Sequence, residues 1–310
     1  MSGKIKLKTG NLCLSSTSLL WFMVNTSTSL TSEQLAAYDI DGYIVLENFL
    51  DDTDMAPPKA AMMEKVDEIA NDLFKAGIIT DLRLDEPFPT RLARLFDGLS
   101  DADFLKWGRG WRDRKPGYFE LMSNPKILDA VESLIGPEIF SNPVYNVRPK
   151  VPGVAAGAVP WHQDKSYWPD ANANPVITVW IPLVDSTHEN GCLHLIPGTH
   201  KKRAIVHGHE TYSGTQYLEI SANYVEKRRA EIIPLPMKAG SAVLFNDRLI
   251  HSSTPNNSQG VRWSVDLRYQ PTDQDPMLQH GLGFLARSAK FPEKVATLDD
   301  WLQDQIEHGE

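Results

Sequence analysis

Two periodicities divide the chain. In the first 136 residues apolar side chains recur at helical spacing, whereas from Val144 to Gln270 they alternate with a period of two. Thr31-Ser32-Glu33-Gln34 carries a capping-box pattern that predicts a short helix closed by Gly42, followed by a strand at Tyr43-Ile44-Val45-Leu46. A second helix is predicted from Pro57 to Ala76, with Met62, Val66, Ile69 and Leu73 as its apolar stripe and Gly77 as its end. Asn124-Pro125 starts a third, which turns Ile127, Leu128, Val131 and Leu134 inward before Gly136-Pro137 stops it. Strands are predicted at Val144–Val147, Val176–Leu183, Cys192–Ile196, Ala230–Leu235, Ser241–Asn246 and Val261–Tyr269. Glu189-Asn190-Gly191 and Pro255-Asn256-Asn257-Ser258-Gln259-Gly260 both look like hairpin turns. Thr297 caps a terminal helix carrying Leu298, Trp301, Leu302 and Ile306. Helices first, then many short strands, predict a mainly β fold: an antiparallel barrel or sandwich with flanking helices packed outside. No linker or repeat interrupts 30–310, which is expected to be one domain, with 1–29 as a disordered extension.

Composition narrows the function. A formal charge of −9 over 310 residues argues against a nucleic-acid partner, since phosphate binding needs a basic surface. The two cysteines, Cys13 and Cys192, are too few for a disulfide framework, so a reducing, cytoplasmic setting is expected. Lys4, Lys6 and Lys8 precede an apolar run from Leu12 to Val24 that resembles a poor signal peptide. The run is broken by Ser15, Ser16, Thr17 and Ser18 and is too short to span a bilayer. An extension, or a true start at Met23, is the preferred reading, and no membrane partner is expected.

The candidate chemistry lies in Trp161-His162-Gln163-Asp164, with His251 and Arg262 further on. Two imidazoles and one carboxylate on one face of Fe(II) leave open positions for O₂ chemistry. On a strand, residues i and i+2 share a face, so His162 and Asp164 would reach one metal. The turn at 255–260 is expected to close a hairpin that brings Arg262 back toward His251. A His-x-carboxylate pair alone is weak, and His308-Gly309-Glu310 repeats it at a frayed end; the four residues together are specific. Lys165, Tyr167 and Trp168 follow the pair directly and would line the substrate side. Residues 106–115 look like a solvated loop, or a lid whose Arg109 meets an anionic substrate. His207-Gly208-His209 looks like a solvated loop, His200 like a local hydrogen-bonder, His188 and His194 like ordinary strand or turn residues, and Cys192 like a small buried hydrophobe; Arg268 and Arg287 could face the pocket, but ion pairs are the preferred reading.

On these residues the chain resembles the phytanoyl-CoA dioxygenase family of Fe(II)/2-oxoglutarate oxygenases. The resemblance spans about 30–270. It is carried by Asp41-Gly42-Tyr43, His162-Gln163-Asp164, Asn190-Gly191-Cys192-Leu193, Ile196-Pro197-Gly198-Thr199-His200, Gly240-Ser241-Ala242-Val243, His251 and Arg262. It implies a double-stranded β-helix, a cupin-like jelly-roll barrel with the metal near one open end. It also implies that His162, Asp164 and His251 bind iron and that Arg262 pairs with the distal carboxylate of 2-oxoglutarate, Ser253 adding a hydroxyl. Tyr145, Gln163 and Trp180 fall where cosubstrate-lining residues are expected. Related halogenases lack the carboxylate ligand, so Asp164 points to oxygenation: O₂-driven hydroxylation of a small-molecule metabolite with release of succinate and CO₂. The alternatives are a cupin-like metalloenzyme that does not use 2-oxoglutarate, and a non-catalytic ligand-binding barrel. Nothing in the sequence selects the substrate.

Overall fold

The computed structural model describes residues 28–108, 110–111, 113–167, 175–202, 208–212, 215–274 and 283–308. Most of the expected N-terminal extension lies outside them, but Thr28 and Leu30 are already tied to the third long helix, through Asp129 at 2.8 Å and Ser133 at 3.0 Å. The capping box at Thr31 forms α1 (Ser32–Asp41), with reciprocal bonds between Thr31 and Gln34. Gly42 ends it at φ +83°, and an added Cβ there would stand 2.3 Å from the His200 ring. After β1 (Tyr43–Leu46) comes α2 (Asp52–Lys75), which starts before the expected Pro57. Asp51 and Asp54 form a further capping box, and the two prolines are absorbed into the early turns. Met62, Val66, Ile69 and Leu73 are buried along it as expected.

Three short helices, α3 (Arg91–Leu95), α4 (Asp101–Trp107) and α5 (Pro116–Met122), occupy a stretch for which the apolar period predicts none. They are too short for a 3.6-residue repeat to declare itself. Beyond Trp107 the described residues up to Lys115 form a loop, as expected, but two of them are not solvated. Trp111 is buried edge-on against Trp263 at 5.3 Å, and Arg114 is buried over the Trp301 ring. The third expected helix, α6 (Pro125–Ile135), is capped by Asn124 and buries Ile127, Leu128 and Val131.

The strands follow in order: β2 (Ile139–Ser141), β3 (Asn146–Lys150), β4 (Val159–His162), β5 (Ile177–Pro182), β6 (Leu193–Ile196), β7 (Gly208–Tyr212) and β8 (Thr215–Glu219). A short α7 (Ala222–Glu226) precedes β9 (Ile233–Leu235), β10 (Ala242–Asn246), β11 (Ile250–Ser253), β12 (Arg262–Pro271) and β13 (Phe284–Arg287), and α8 (Leu298–His308) ends the described chain. A seven-stranded sheet runs β1-β10-β5-β12-β2-β13 with β3 added beside β12, and a four-stranded sheet runs β4-β11-β6-β9. All pairings are antiparallel. The architecture is the jelly roll with outer helices; among the described residues the sheets do not join into a closed barrel.

Both expected hairpins are corners between sheets. The turn at 189–191 leads from β5 in the large sheet to β6 in the small one, and the turn at 254–261 leads from β11 in the small sheet to β12 in the large one. The turn residues are those of a hairpin, but strand partners are chosen by the whole β face and not by the local turn. The two corners meet at Gly191 (φ +85°), where a Cβ would fall 2.3 Å from the Thr254 carbonyl.

Strand β12 shows what the large sheet separates. Trp263, Val265, Leu267 and Tyr269 are all buried and belong to the main apolar core. Trp263 stacks on Phe88 at 5.1 Å, and the Tyr269 hydroxyl donates to the Met122 carbonyl of α5 at 2.8 Å. Burial of each large side chain contributes roughly 1.5–3 kcal/mol. The alternate positions, Arg262, Ser264, Asp266, Arg268 and Gln270, are equally buried yet polar, and Arg262, Asp266 and Arg268 line an internal cavity.

Candidate active site

His162 ends β4 and His251 sits directly opposite it on β11, so strand register alone sets the two rings side by side, with centroids 4.1 Å apart. Asp164 is not on the strand, contrary to the expected i, i+2 arrangement. It opens a 3-10 turn (Asp164–Tyr167) that curls its carboxylate back under the imidazoles. Its Oδ1 lies 3.4 Å from His162 Nε2 and 3.8 Å from His251 Nε2, and one ligand atom from each residue falls within 4.8 Å of the others. Among the described residues this is the one such cluster of buried donors.

Each ligand is oriented from behind. The Nδ1 of His162 bonds the Pro160 carbonyl at 2.9 Å and that of His251 bonds the Leu249 carbonyl at 3.0 Å. A carbonyl only accepts, so each Nδ1 carries the proton and each Nε2 lone pair faces the centre. Asp164 Oδ2 accepts from Thr178 Oγ1 at 2.7 Å and from Arg268 Nη2 and Nε at 3.0 and 3.2 Å, which leaves Oδ1 toward the imidazoles. Burial alone would raise the Asp164 carboxyl, but Arg268 and the imidazoles outweigh it and hold it well below the usual carboxylate range. Burial and the neighbouring His162 push His251 down to about 3. The group therefore suits a divalent cation: one carboxylate and two imidazoles with their Nε2 atoms turned toward it.

Arg262, Ser253 and Trp180 line the same cavity as the imidazoles. Arg262 does not approach His251 along a ladder, because β11 and β12 belong to different sheets; it reaches the cavity from the opposite wall. Its guanidinium lies over the Trp180 ring at 5.4 Å, and Nη1 donates to Ser264 Oγ. Its Nε is buried and has no hydrogen-bond partner. Burial and the like charge of Arg148 push it down to about 9, still protonated at neutral pH. Lys150, its cross-strand neighbour, donates to Ser253 Oγ at 2.7 Å. An orphaned buried donor on a cation beside this set of metal donors suits a carboxylate ligand with a second, chelating end.

Other expected residues fall elsewhere. Tyr145 is packed in the main core and its hydroxyl donates to the Asp113 carbonyl at 3.1 Å, so it does not line the cavity. Gln163 is not among the lining residues, and its amide donates to the Arg248 carbonyl, which ties the Asp164 turn to the β10–β11 connection. Lys165 is buried with its backbone N–H on the Asp247 carbonyl at 2.7 Å and is not a lining residue. Tyr167 is 38 % exposed, 6.4 Å from the His162 ring, with its hydroxyl accepting from the Leu218 amide. Arg109, Trp168 and His207 lie outside the described residues, as does the side chain of His209. Arg268 and Arg287 are ion-paired as expected, Arg268 with Asp164 and Asp266, Arg287 with Asp129 and Glu132. Sequence reasoning missed Thr178, Asp266, Arg148 and Lys150. The legible signal was the alternate polar set Asn146-x-Arg148-x-Lys150 facing Arg262-x-Ser264-x-Asp266-x-Arg268 across the β3–β12 ladder.

Comparison with known proteins agrees with this geometry. The family model for phytanoyl-CoA dioxygenase (PhyH) matches residues 38–264. A Dictyostelium discoideum phytanoyl-CoA dioxygenase domain-containing protein 1 homolog is 26 % identical over 262 residues, covering 77 % of this chain and 91 % of its own. The peroxisomal phytanoyl-CoA dioxygenase of Homo sapiens is 24 % identical, over 79 % of this chain and 69 % of its own. Among solved structures, the non-heme alpha ketoglutarate dependent carbocyclase SnoK from nogalamycin biosynthesis superposes with a TM-score of 0.55 at 20 % identity. That match covers 82 % of this chain and 90 % of that one, a likeness of fold.

Proposed function

The chain belongs to the phytanoyl-CoA dioxygenase family, and from that premise we propose that His162, Asp164 and His251 hold Fe(II) while Arg262, with Ser253 and Trp180, receives 2-oxoglutarate. The protein is an Fe(II)/2-oxoglutarate-dependent dioxygenase acting on a small molecule. Bound there, the metal supplies oxidative decarboxylation of 2-oxoglutarate to succinate and CO₂, coupled to oxidation of a substrate C–H bond. The observation that carries the residue assignment is the meeting of the His-Asp-His group and a buried guanidinium in one cavity, although they come from opposite sheets.

The side chains divide the work. His162 and His251 present fixed Nε2 lone pairs, and Arg268 with Thr178 occupies Asp164 Oδ2, so these residues would hold the metal through two nitrogens and one carboxylate oxygen. Arg262 anchors the distal carboxylate of the cosubstrate. A charge-assisted contact of this kind is worth roughly 1.5–3 kcal/mol. Lys150 holds the Ser253 oxygen, which directs that hydroxyl's own proton toward the same carboxylate. Leu193, Phe245 and Val159 exclude water from the walls. Hydroxylation is the outcome favoured by the presence of Asp164. The test is iron-dependent release of succinate from 2-oxoglutarate by wild-type protein and its loss in His162→Ala. Succinate release that persists without iron, or in that variant, would sink the assignment.

A further inference from the structure

Lys150 is a buried amine where the two corners between the sheets meet, 1 % exposed. Its carbonyl accepts from Asn256 Nδ2 at 2.7 Å. Its stem passes between Gly157 and Gly191, where an added Cβ would stand 3.0 Å from Lys150 Cγ and Cδ respectively, so the head is held in one place. Nζ meets three acceptors: the Gly191 carbonyl at 3.3 Å, the Thr254 carbonyl at 2.5 Å and Ser253 Oγ at 2.7 Å. None of the three carries a charge. The charged and titratable groups facing Lys150 are Arg262 from β12, Arg148 from its own strand, and Cys192 and His194 from β6 and the turn before it. Burial pushes the Cys192 thiol up and the His194 ring down, so neither offers a countercharge at neutral pH. Burial and the like charges of Arg262 and Arg148 push Lys150 down to about 5.

The two carbonyls only accept, so each takes an N–H from Lys150 in either protonation state. The third position differs. An ammonium has a third N–H there, and the Ser253 oxygen accepts it. An amine has a lone pair there instead, and the Ser253 hydroxyl must donate to it. Protonation of Lys150 therefore decides which way the Ser253 proton points. Beside an amine, Ser253 has only lone pairs left for the cavity. Beside an ammonium, its proton is free for an anion bound at Arg262, which lines the same cavity. Lys150 itself stands behind Ser253 and is not among the lining residues.

We propose that Lys150 is a positioning residue for the cosubstrate: it takes up one proton from solvent when the dianion docks at Arg262, and so turns the Ser253 hydroxyl toward the ligand. The inference rests on the cosubstrate reading above. A carboxylate brought near a buried amine favours the charged form, and the hydroxyl that the carboxylate gains as a donor adds to that preference. Ligand binding and proton uptake are then one linked equilibrium, each strengthening the other by the same factor. The proton enters by the cleft that Lys150 lines with Phe104 and Trp111.

The test is anaerobic calorimetry of 2-oxoglutarate binding to the iron-loaded protein near neutral pH, repeated in phosphate, Hepes and Tris, whose heats of ionisation differ. The slope of observed heat against buffer heat counts the protons taken up. Wild-type protein should take up about one, and its affinity should weaken by about tenfold for each unit that pH rises above neutral. Lys150→Met should take up none and lose that pH dependence. Ser253→Ala should take up less than wild type, because the hydroxyl no longer contributes to the coupling. Thermal melting verifies that each variant folds. Undiminished uptake in Lys150→Met overturns the proposal; undiminished uptake in Ser253→Ala does so independently, even where the lysine variant fails to fold. Wild-type protein that binds 2-oxoglutarate without a proton removes this inference alone. Wild-type protein that binds no 2-oxoglutarate removes the cosubstrate reading as well.

Discussion

The two ends of the cavity are built on opposite principles. At the metal end each ligand is tied from behind: imidazoles to carbonyls, carboxylate to Thr178 and Arg268. At the other end Arg262 is as deeply buried, yet among the described residues no carboxylate lies within ion-pair distance of it, and its Nε has no partner. The contrast fits what we propose that each end receives. A cation needs donors whose directions are set in advance, because misdirected lone pairs forfeit affinity. A dianion needs a charge that the protein has not already neutralised. The metal end is thus balanced internally, whereas the Arg262 end keeps its charge for the ligand.

Variants should separate the two ends. The largest effect is expected for His251→Ala: iron affinity should fall by more than about 100-fold, beyond the loss typical of a supporting residue, and metal content after anaerobic loading measures it. Retention of stoichiometric iron would break the comparison. Next, Arg262→Met should weaken 2-oxoglutarate by about 10- to 150-fold, the equivalent of roughly 1.5–3 kcal/mol, while iron binding stays near wild type. A parallel collapse of both affinities would mean that the ends are not independent. Thr178→Val removes one bond to Asp164 Oδ2, and should lower iron affinity about tenfold without a comparable change in cosubstrate affinity.

A last effect is the pH dependence that the metal end contributes to stability. His251 is pushed from 6.5 to about 3, so the unfolded chain takes up protons there before the folded one does. Stability of the metal-free protein is then fully present above about 6.5 and is lost as pH falls toward 3. The depressed Asp164 adds a loss in the same direction at the lower end. Thermal melts across this window should show the decline, and His251→Gln should flatten its upper part. An identical slope in that variant would assign the decline to other groups.

Much of this was legible in the chain itself, because it depends on neighbours close in sequence. Capping boxes, helical stripes and period-two runs placed α1, α6, α8 and the central strands to within a few residues. The candidate donor set was readable as well, since Fe(II) takes nitrogen and carboxylate donors, and the fold gathers those of His162, Asp164 and His251. Tertiary structure decided which strands pair. The turns before β6 and β12 have hairpin composition but serve as corners, because satisfying both faces of two sheets outweighs any single turn. It also decided which buried polar residues matter. Period-two alternation shows that Arg262, Ser264, Asp266 and Arg268 share a face, but an alternating polar face ordinarily looks outward to water. Only the second sheet, laid across that face, turns it into the lining of a cavity and makes its charges answer to a metal and its ligands.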